Sequence, residues 1–585
     1  MTDHLFQCEG ASVPQRWSAV TERHVLGGPG SDAAQIDFSL RMPDPILGAL
    51  ADRSLDLVRI AAYVYLADGS VSRGGELDVY GRRWRRRMLM AIAVNEPDFW
   101  RSEQVSQALS LTLSFLTEDE WQFHFTAWKR SATSQLQLIA TDASLHSDPG
   151  CVVLFSGGAD SLAACIAAHR EGARPLLVSH RSSPLIAGPQ RRLIEELRTR
   201  FSATGFRQAS AIVHRRGSDA PETSQRSRSF LFASLGAAAA NSLGVGDVRL
   251  ADNGFVSINL PITDQAVGAQ ASRTTHPKFL RLFNQLARLV FESVEVRNPL
   301  WNLTRAEALH VLKDAGVPAL LGETRSCAHP RARPSYAPHC GYCSQCVDRR
   351  FGVLAAGLDE YDTAYETDIF TDELAEGEPR VIATSYLRLA LRLDDLPADD
   401  LFLEFPQLYD CLADQRPEER ARELVAMLKR HAQGVLGVMR DQVARHAEDL
   451  IRPGRLPATC LVRLVPMEAG PPPVVATPPG SFDYSPGFAS VRFEGRTYTL
   501  GPSERVAFRV LYEAWERHTP ELSGDHLLDI VLEEVETRPR SISELFRGSG
   551  LFGAVVVQGS RKGVYKLNLD PSVHPEADAT SPSKP

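Results

Sequence analysis

The segment Cys151–Ser161 constrains the fold of this chain more than any other part of the sequence. Residues 152–155 are apolar and partly β-branched, as expected of a strand inside a parallel sheet. Gly157 and Gly158 follow at once, and they let the backbone turn sharply and approach a ligand closely. The next residues begin a helix, whose first N–H groups favour an anion. The segment predicts a phosphate-binding strand–turn–helix unit, although any glycine-rich turn of an α/β domain can give this pattern.

The residues of this turn are Ser156, Gly157, Gly158, Ala159, Asp160 and Ser161. No Gly-Lys-Ser/Thr sequence follows them, so the turn is not a Walker A loop. The Ser-Gly-Gly-x-Asp-Ser pattern resembles the pyrophosphate loop of the N-type ATP pyrophosphatases. That resemblance implies an α/β fold with a doubly wound parallel sheet of the adenine nucleotide α-hydrolase type. It also implies that ATP is split into AMP and pyrophosphate.

Four cysteines further along the chain have the spacing of a metal site. They are Cys327, Cys340, Cys343 and Cys346, in the pattern C-x12-C-x2-C-x2-C. Four thiolates suit tetrahedral Zn²⁺ in a closed structural site. Disulfides, a redox-active C-x2-C pair and unrelated buried cysteines are the alternatives. His329 and His339 flank the cluster and are alternative ligands.

The loop and the cysteines together resemble one family, the 7-cyano-7-deazaguanine synthases (QueC). The family's Cys-Gly-x-Cys-x-x-Cys-x-x-Arg pattern matches Cys340–Arg349. Asn298–Glu307 is similar to the family's Pro-Leu…Leu-Thr-Lys-x-Glu segment. Ser227–Phe232 stands where the family has Ala-Arg-Asn followed by an apolar helix. The resemblance covers about residues 150–355.

Other stretches depart from the family pattern. Leu162 replaces the usual threonine, and Ser179–Pro184 replaces an Asp-Tyr-Gly-Gln run. Asp252–Phe255 and Ser272–Pro277 stand in place of the Tyr-Pro pattern of the substrate loop. The segments expected to bind ATP therefore match the family, whereas the segments expected to bind the acceptor differ from it. In this respect the chain is similar to the QueC-like proteins of bacterial anti-phage operons (the Qat and type IV CBASS systems).

The resemblance implies a reaction as well as a fold. ATP would activate 7-carboxy-7-deazaguanine, with release of pyrophosphate and AMP, for coupling to a nitrogen nucleophile. That nucleophile is ammonia, which gives 7-cyano-7-deazaguanine, or the N-terminal amine of a partner protein, as expected for the anti-phage relatives. The altered acceptor end favours the protein amine. A tRNA-modifying or thiolating ATP pyrophosphatase and a DNA-binding nucleotide sensor are the alternative functions.

These expectations assign roles to individual residues. The ATP-binding residues are Ser156, Gly157, Gly158, Asp160, Ser161 and Ser179, and Mg²⁺ would stabilise the leaving pyrophosphate. The catalytic candidates are Asp160, Arg228, Arg273 and Lys278. The three cations are also explained as ordinary surface or loop residues. Asp252 and Arg228 are the candidates for contacting the deazaguanine, and Asp252 is equally well explained as a turn residue. Arg349 is expected to donate to a metal-bound sulfur.

The composition narrows the class of protein. The chain has 585 residues, 43% hydrophobic and 23% charged, which is ordinary for a soluble globular protein with several cores. A net charge of −8 argues against a nucleic-acid footprint over the whole chain. The sequence shows neither a secretion signal nor an apolar run of membrane-spanning length. We therefore expect a cytoplasmic protein without a membrane partner.

The expected organisation has an N-terminal α/β module (1–145), a QueC-like ATP pyrophosphatase domain with the zinc site (146–360), a helical region (361–452), a proline-rich linker (453–482), a winged-helix-like domain (483–570) and a disordered tail (571–585). In the first module, residues 87–94 predict a strand. Residues 110–128 contain two stretches in which apolar and polar residues alternate, as they do in strands. The basic run Arg82–Arg87 is a solvated surface or a docking site for an acidic partner, a nucleic acid or another subunit.

Residues 490–569 predict a winged helix-turn-helix. Ala507–Trp515 has a helical apolar face, and Ser541 suits the N-cap of a short helix through Arg547. Residues 554–557 and 564–569 then suit a hairpin with a basic tip. DNA binding and protein docking both fit this element, and the acidic residues at 533–536 weigh against DNA.

Overall fold

The computed structural model describes residues 3–27, 36–37, 51–73, 85–128, 149–181, 184–201, 205–213, 222, 226–260, 273–328, 337–412, 416–468, 482–484, 488, 490–493, 496–516, 521–535, 539–559, 561 and 563–569. The chain forms two compact units, Met1–Val465 and Pro466–Pro585. The division between them falls within the range 453–482 that we interpret as a linker.

The first part of unit one is a parallel sheet. Its strands are β1 (Asp3–Cys8), β2 (Glu22–Gly27), β3 (Ile36–Asp37), β4 (Arg87–Val94) and β5 (Glu120–Ala127). They pair in the order β3-β2-β1-β4-β5, and every pairing is parallel. Alternate residues along the strands face opposite sides, so Phe6 and Met88 enter one core whereas Leu5 and Leu89 enter another.

The second sheet carries the nucleotide-binding pattern. Its strands are β6 (Cys151–Leu154), β7 (Pro175–His180), β8 (Arg207–Ala211), β9 (Asp247–Arg249) and β10 (Glu295–Arg297). They pair in parallel in the order β10-β9-β6-β7-β8. Val152 and Leu154 of β6 enter one core and Val153 enters another, so both faces are covered. The prediction of an α/β fold with a parallel sheet is confirmed.

Helices flank these sheets and continue beyond them. In unit one they are α1 (Asp52–Ser70), α2 (Pro97–Arg101), α3 (Glu103–Thr117), α4 (Ala159–Arg170), α5 (Pro184–Arg200), α6 (Arg228–Ser242), α7 (Gly254–Ile258), α8 (Pro277–Val290), α9 (Arg305–Asp314), α10 (Ser344–Ala355), α11 (Glu378–Asp395), α12 (Asp400–Glu404), α13 (Pro417–Arg445) and α14 (Ala447–Ile451). Short 3-10 helices lie at Gln15–Trp17, Pro318–Glu323, Asp359–Tyr361 and Pro406–Cys411. A further helix, α15 (Leu461–Glu468), begins before the division between the units and ends after it.

The two sheets share one hydrophobic core. Tyr63 of α1, Leu113 of α3, Phe230 of α6 and Phe283 of α8 all belong to the same buried cluster. Helix α1 packs on α6, and α3 packs on α8. The N-terminal module is therefore joined to the nucleotide-binding sheet through apolar packing, which is the main source of stability in a folded domain.

A buried charge network reinforces this junction. The carboxylate of Asp68 accepts from Arg73 at 2.8 Å and from Arg86 at 2.5 Å, and Asp119 pairs with the same two guanidinium groups at 2.7 Å. Asp68 also accepts from the backbone N–H of Ser227 at 2.9 Å. Although burial acts against ionisation, the two arginines hold the pKa of Asp68 well below its usual value.

The structure corrects parts of the prediction for this module. Strand β4 is confirmed, but residues 110–117 belong to helix α3 because Leu109, Leu113 and Leu116 recur at helical spacing. Only the second stretch, β5, is extended. In the basic run, Arg86 is buried in the charge network instead of lying on a docking surface. Residues 82–84 lie outside the described residues.

The region predicted to be helical contains two long helices, α11 and α13. Helices α11 and α13 pack against each other and against α10. Leu424, Met427 and Leu428 lie in the core of this bundle, as their spacing predicts. Within the described ranges, no helix has both the length and the apolar character that crossing a bilayer requires.

Unit two has its own core and the element order of a winged helix. Its elements are β11 (Phe482–Tyr484), β12 (Ser490–Phe493), β13 (Arg496–Thr499), α16 (Pro502–Glu516), β14 (Leu522–Ser523), α17 (Gly524–Val535), α18 (Ile542–Leu545), β15 (Val556–Gln558) and β16 (Val564–Leu567). Strands β14, β16 and β15 form an antiparallel sheet. The Ser541 hydroxyl caps α18 by accepting from the N–H of Glu544 at 3.2 Å. Helix α18 ends at Leu545, two residues before the predicted end. DNA binding by this unit stays a prediction.

We expect the charge network to be essential for the stability of unit one. Asp68→Asn leaves two buried guanidinium groups short of negative charge, which costs about 3 kcal/mol in the free energy of unfolding. Asp98→Asn is the matched control, because Asp98 pairs with Arg101 at a side-chain exposure of 97% and surface pairs contribute about 0–1 kcal/mol. Denaturant unfolding of both variants measures the difference. Equal stability of the two variants contradicts the role given to Asp68.

Candidate active site and metal centre

The glycine-rich turn lies where β6 ends and α4 begins. Gly157 has a φ of +85°, a conformation that favours glycine, and a Cβ there would lie 3.0 Å from Cγ of Gln190. The Gln190 amide donates to the carbonyl of Ser156 at 3.0 Å, which fixes the turn from the side of α5. The turn can therefore pack against α5 in this conformation because residue 157 is glycine.

Hydrogen bonds within the turn fix its shape. The N–H of Gly158 donates to Oγ of Ser156 at 3.3 Å, and Oγ of Ser161 donates to the carbonyl of Gly158 at 2.9 Å. The two hydroxyl oxygens of Ser156 and Ser161 are 3.2 Å apart. Five of the six predicted ATP-binding residues therefore lie together in one compact loop at the start of a twelve-residue helix.

The surroundings of this loop suit the phosphates of a nucleotide. The N–H groups of the first turn of α4 have no partners inside the helix and attract an anion. Ser179, the remaining predicted ATP contact, lies one residue before the end of β7, the strand beside β6. Its buried Oγ has no hydrogen-bond partner among the described residues. Oε1 of Gln190 is in the same state. Strands β7 and β8 lie on one side of β6, and β9 and β10 lie on the other, so the strand order reverses at β6. Ligands of open parallel sheets bind at such a reversal.

Asp160 is held by a buried arginine. Nη1 of Arg305 lies 2.5 Å from Oδ1 of Asp160, and the same guanidinium binds Oδ2 of Asp348 at 2.7 Å through Nε and Nη2. Gly352 makes room for Arg305, because a Cβ there would lie 2.0 Å from Cγ of the arginine. These contacts hold the carboxylate of Asp160 in place at the first turn of α4.

Two neutral groups complete this network. The backbone N–H of Asn253 donates to Oδ2 of Asp160 at 2.9 Å, and its amide donates to Asp348 at 3.5 Å. The Tyr386 hydroxyl donates to Oδ1 of Asp348 at 2.9 Å. The segment after β9 and helix α11 are therefore tied to the pyrophosphate loop through the same two carboxylates.

Asp252 lies next to this network and differs from it electrostatically. Burial raises the pKa of Asp252 to about 7, and the nearby charge of Asp160 acts in the same direction. The Thr275 hydroxyl donates to Oδ2 of Asp252 at 3.0 Å and opposes the shift. Asp252 therefore titrates near neutrality, as is common for groups in binding and catalytic sites.

The stretch Asn298–Glu307 holds the same region together. The Asn298 amide donates to the carbonyl of Asp252 at 2.7 Å, which fixes the candidate acceptor segment. Thr304 and Glu307 form a capping box at the start of α9, with hydrogen bonds of 3.2 Å and 2.8 Å. This cap orients the first turn of α9, and Arg305 begins that turn.

The three predicted cations are each engaged elsewhere. Arg273 donates to the carbonyl of Phe115 at 2.6 Å and pairs with Glu118 of the N-terminal module. Nζ of Lys278 lies 2.7 Å from Oδ1 of Asp410. The guanidinium of Arg228 lies 5.3 Å from the ring centroid of Phe232, in its own helix. The roles of Arg228, Arg273 and Lys278 in neutralising pyrophosphate stay predictions.

The four cysteines form a compact cluster. The Sγ atoms of Cys327, Cys340, Cys343 and Cys346 all lie within 4.8 Å of one another. Sγ of Cys340 and Sγ of Cys346 are 3.7 Å apart. A tetrahedral site with Zn–S bonds of about 2.3 Å places its sulfur atoms about 3.8 Å apart, so the cluster fits zinc.

The local backbone is shaped for this cluster. Gly341 has a φ of +90°, and a Cβ there would lie 1.8 Å from the carbonyl oxygen of Thr367. The N–H of Cys343 donates to Sγ of Cys340 at 3.3 Å. Hydrogen bonds among the thiols lower the pKa of Cys340 and raise the pKa of Cys343 and Cys346.

Arg349 does not act as predicted. Instead of donating to sulfur, its guanidinium binds Asp362 at 2.6 Å, the Thr324 hydroxyl at 2.6 Å and the Leu321 carbonyl at 3.0 Å. The segment it holds leads into Cys327. In that segment the N–H of Arg325 donates to the carbonyl of Gly157 at 3.0 Å. The cysteine cluster is thus linked to the glycine-rich loop by a short, hydrogen-bonded piece of chain.

His339 has hydrogen-bond partners of its own. Its Nδ1 lies 2.9 Å from the Thr363 hydroxyl, and its Nε2 accepts from the N–H of Ser326 at 3.3 Å. Burial lowers the pKa of His339 to about 3, so the ring is neutral. It supports the segment before Cys327, and the ligand cluster consists of cysteines. His329 lies outside the described residues.

Sequence reasoning gave no role to several residues of this site. Arg305 and Gln190 position the loop, and Asn253 and Asp348 share its carboxylate network. The sequence offers one signal for Arg305: it directly follows the capping residue Thr304, which places its side chain in the first turn of a helix. The sequence holds no comparable signal for Gln190.

The fold and the site define an α/β protein that combines a phosphate-type loop at a strand-order switch with a four-cysteine centre able to hold zinc. Residues 198–357 match the family model described as queuosine biosynthesis protein QueC. The resemblance to the QueC family is confirmed over this region. The narrower placement in the anti-phage branch stays a prediction.

Curated relatives support the same family. The chain is 26% identical over 243 residues to a 7-cyano-7-deazaguanine synthase of Syntrophobacter fumaroxidans, covering 37% of this chain and 96% of the relative. It is 28% identical over 236 residues to the synthase of an Anaeromyxobacter species, covering 36% of this chain and 93% of that relative. The similarity thus spans nearly the whole of these enzymes and about a third of this chain.

We expect zinc removal to disturb the pyrophosphate loop. Cys340→Ser removes one thiolate, so the protein loses the zinc bound by the cysteines and ATP binding weakens through the Arg325–Gly157 link. Cys411→Ser is the control, because Cys411 is buried but lies in the helical region outside the cluster. Metal analysis and nucleotide-binding measurements report the two effects. Unchanged zinc content in Cys340→Ser excludes the site.

Asp252 gives the folded protein a pH dependence. Because its folded pKa of about 7 lies above the value of 3.8 expected when unfolded, its contribution is most favourable below pH 4 and declines as pH rises to 7. Asp252→Asn removes this decline, so the thermal midpoint of the variant rises relative to wild type between pH 5 and pH 8. Asp441→Asn, an exposed site on α13, serves as the control. A difference between Asp252→Asn and wild type that does not change with pH contradicts the shift.

Proposed function

We propose that this protein is an ATP-dependent ligase that adenylates 7-carboxy-7-deazaguanine and couples it to a nitrogen nucleophile. One observation carries the proposal: a glycine-rich strand–turn–helix loop lies at the switch point of a parallel sheet, and residues 198–357 of the same unit match the QueC family model. Relatives named 7-cyano-7-deazaguanine synthase support the substrate class.

A carboxylate does not react directly with a nitrogen nucleophile, because hydroxide is a poor leaving group, and it must therefore be activated first. An oxygen of the carboxylate attacks the α-phosphorus of ATP, the bond to the bridging oxygen breaks, and pyrophosphate leaves. The nitrogen nucleophile then attacks the carbonyl carbon of the acyl-adenylate, the carbon–oxygen bond breaks, and AMP leaves with the former carboxylate oxygen. A proton lost from nitrogen completes the amide.

The residues of this chain would bind and orient the reactants. The N–H groups of Gly157, Gly158 and the first turn of α4 would hold the pyrophosphate oxygens. Mg²⁺ bound to the phosphates would neutralise charge on the leaving group. Arg305 keeps Asp160, and with it the loop, in one position, so that little reorganisation is needed during the reaction.

Asp252 is the residue we propose for contacting the deazaguanine. Its carboxyl oxygen accepts from Thr275, and its carbonyl is fixed by Asn298, so the side chain has a defined position beside Asp160 and Arg305. With a pKa of about 7, the group can accept from or donate to a heterocyclic nitrogen at neutral pH.

The acceptor is proposed to be the N-terminal amine of a partner protein in anti-phage defence. Two features support this choice over ammonia. The family's substrate-loop pattern is replaced around Asp252–Phe255, and the neighbouring Arg273 is bound to Glu118 of an additional N-terminal module. An enzyme with ammonia as acceptor would instead form an amide and convert it to the nitrile with a second ATP.

The proposal is tested with carboxylate-¹⁸O-labelled 7-carboxy-7-deazaguanine, ATP and Mg²⁺. We expect AMP and pyrophosphate, with ¹⁸O in AMP once the adenylate is transferred to the acceptor. Ammonium and N-terminal peptides of candidate partner proteins are supplied separately, and mass spectrometry identifies the adduct. ADP and orthophosphate as the products contradict the proposal. AMP formation that requires tRNA, or DNA binding without turnover, supports the alternative functions instead.

Gly158→Ala separates the loop from general folding. A Cβ at Gly158 makes ordinary contacts, 3.4 Å from Oγ of Ser156 and 3.5 Å from the carbonyl of Arg325, so the fold tolerates it. The methyl group would hold phosphate away from the backbone, and a displacement of this size lowers kcat/KM by about 100-fold. Gly188→Ala in α5 has its nearest contact at 3.7 Å and retains activity. Equal activity of the two variants contradicts the phosphate site.

A further inference from the structure

The beginning of the N-terminal sheet carries a second group of metal-binding side chains. Parallel pairing places His4 of β1 directly beside Glu22 of β2, and His24 follows on the same face of β2 two residues later. One ligand atom from each of the three side chains lies within 4.8 Å of the others. The register of these two adjacent strands therefore creates the cluster.

Both imidazole rings are held by their surroundings. The ring of His24 stacks on Phe6, with centroids 4.6 Å apart and an angle of 16° between the planes. Both histidines are half-buried, whereas Glu22 is exposed. Nδ1 of His4 is buried and has no hydrogen-bond partner in the part of the chain that the structure describes. The His4 ring therefore has an unused nitrogen, and a buried polar atom in this state costs free energy.

We propose that His4, Glu22 and His24 bind a second zinc ion. Two imidazoles and one carboxylate are a frequent three-ligand set for zinc, and they leave the fourth position to water or an exogenous ligand. The carboxylate of Glu22 contributes negative charge, and Asp3 lies close enough to His4 to act in the same sense, against the opposing charge of Arg86. The ion would tie β1 to β2 at the start of the sheet.

This site is chemically distinct from the cysteine centre. Its donors are nitrogen and oxygen, whereas the other cluster consists of four sulfur atoms. Cobalt in a thiolate site absorbs strongly through sulfur-to-metal charge transfer, and cobalt in a nitrogen–oxygen site shows only weak d–d bands. The two ions can therefore be assigned separately in one protein sample. The inference is independent of the proposed enzymatic function.

The test uses the full chain stripped of metal and then titrated with zinc or cobalt. We expect two equivalents of zinc for each chain, with the second one lost in Glu22→Gln and His24→Asn. With cobalt, these variants lose the weak bands and keep the charge-transfer absorption. His124→Asn is the matched control, because His124 is half-buried on β5 of the same sheet.

Glu22→Gln keeps the test independent of folding, because this exposed side chain contributes nothing to the core. Its metal-free thermal midpoint is expected to equal that of wild type, and zinc raises the midpoint of wild type more than that of the variant. A single equivalent of zinc in the wild-type protein overturns the proposal. Two equivalents that persist in both Glu22→Gln and His24→Asn overturn it as well.

Discussion

One buried guanidinium organises the region around the glycine-rich loop. Arg305 lies between Asp160 and Asp348, with all three side chains no more than 5% exposed. A charge taken out of water at this depth is tolerable only with close, well-oriented partners, and losing one partner leaves an uncompensated charge. The positions of α4, α9 and α10 are therefore interdependent. The segment at Asn253 joins them because its N–H donates to Asp160.

The parts of the fold that the sequence predicts are those with local signals. A run of apolar residues followed by two glycines indicates β6 and α4, and the spacing of Leu424, Met427 and Leu428 indicates α13. The prediction fails where two periodicities overlap. Residues 110–117 alternate well enough to suggest a strand, but Leu109 and Leu116 complete a helical face against the neighbouring core.

The candidate site shows the same limit. The loop and the cysteines are recognised because each signal is confined to a few consecutive residues or a fixed spacing. Arg305 and Asp160 are 145 residues apart, and no local pattern reports a pairing across that separation. Arg349 shows the opposite error, since adjacency to Cys346 in sequence suggested a sulfur contact, whereas the helix directs its guanidinium to Asp362.

The hydrophobic core shared by the two sheets limits how this chain can be divided into fragments. Removing the N-terminal module would uncover apolar residues of α6 and α8, because α1 and α3 of the module pack on these helices within the same buried cluster. A fragment that begins at β6 would have an exposed apolar face, and such a face favours self-association. The N-terminal module and the half that carries the glycine-rich loop therefore fold as one compact unit.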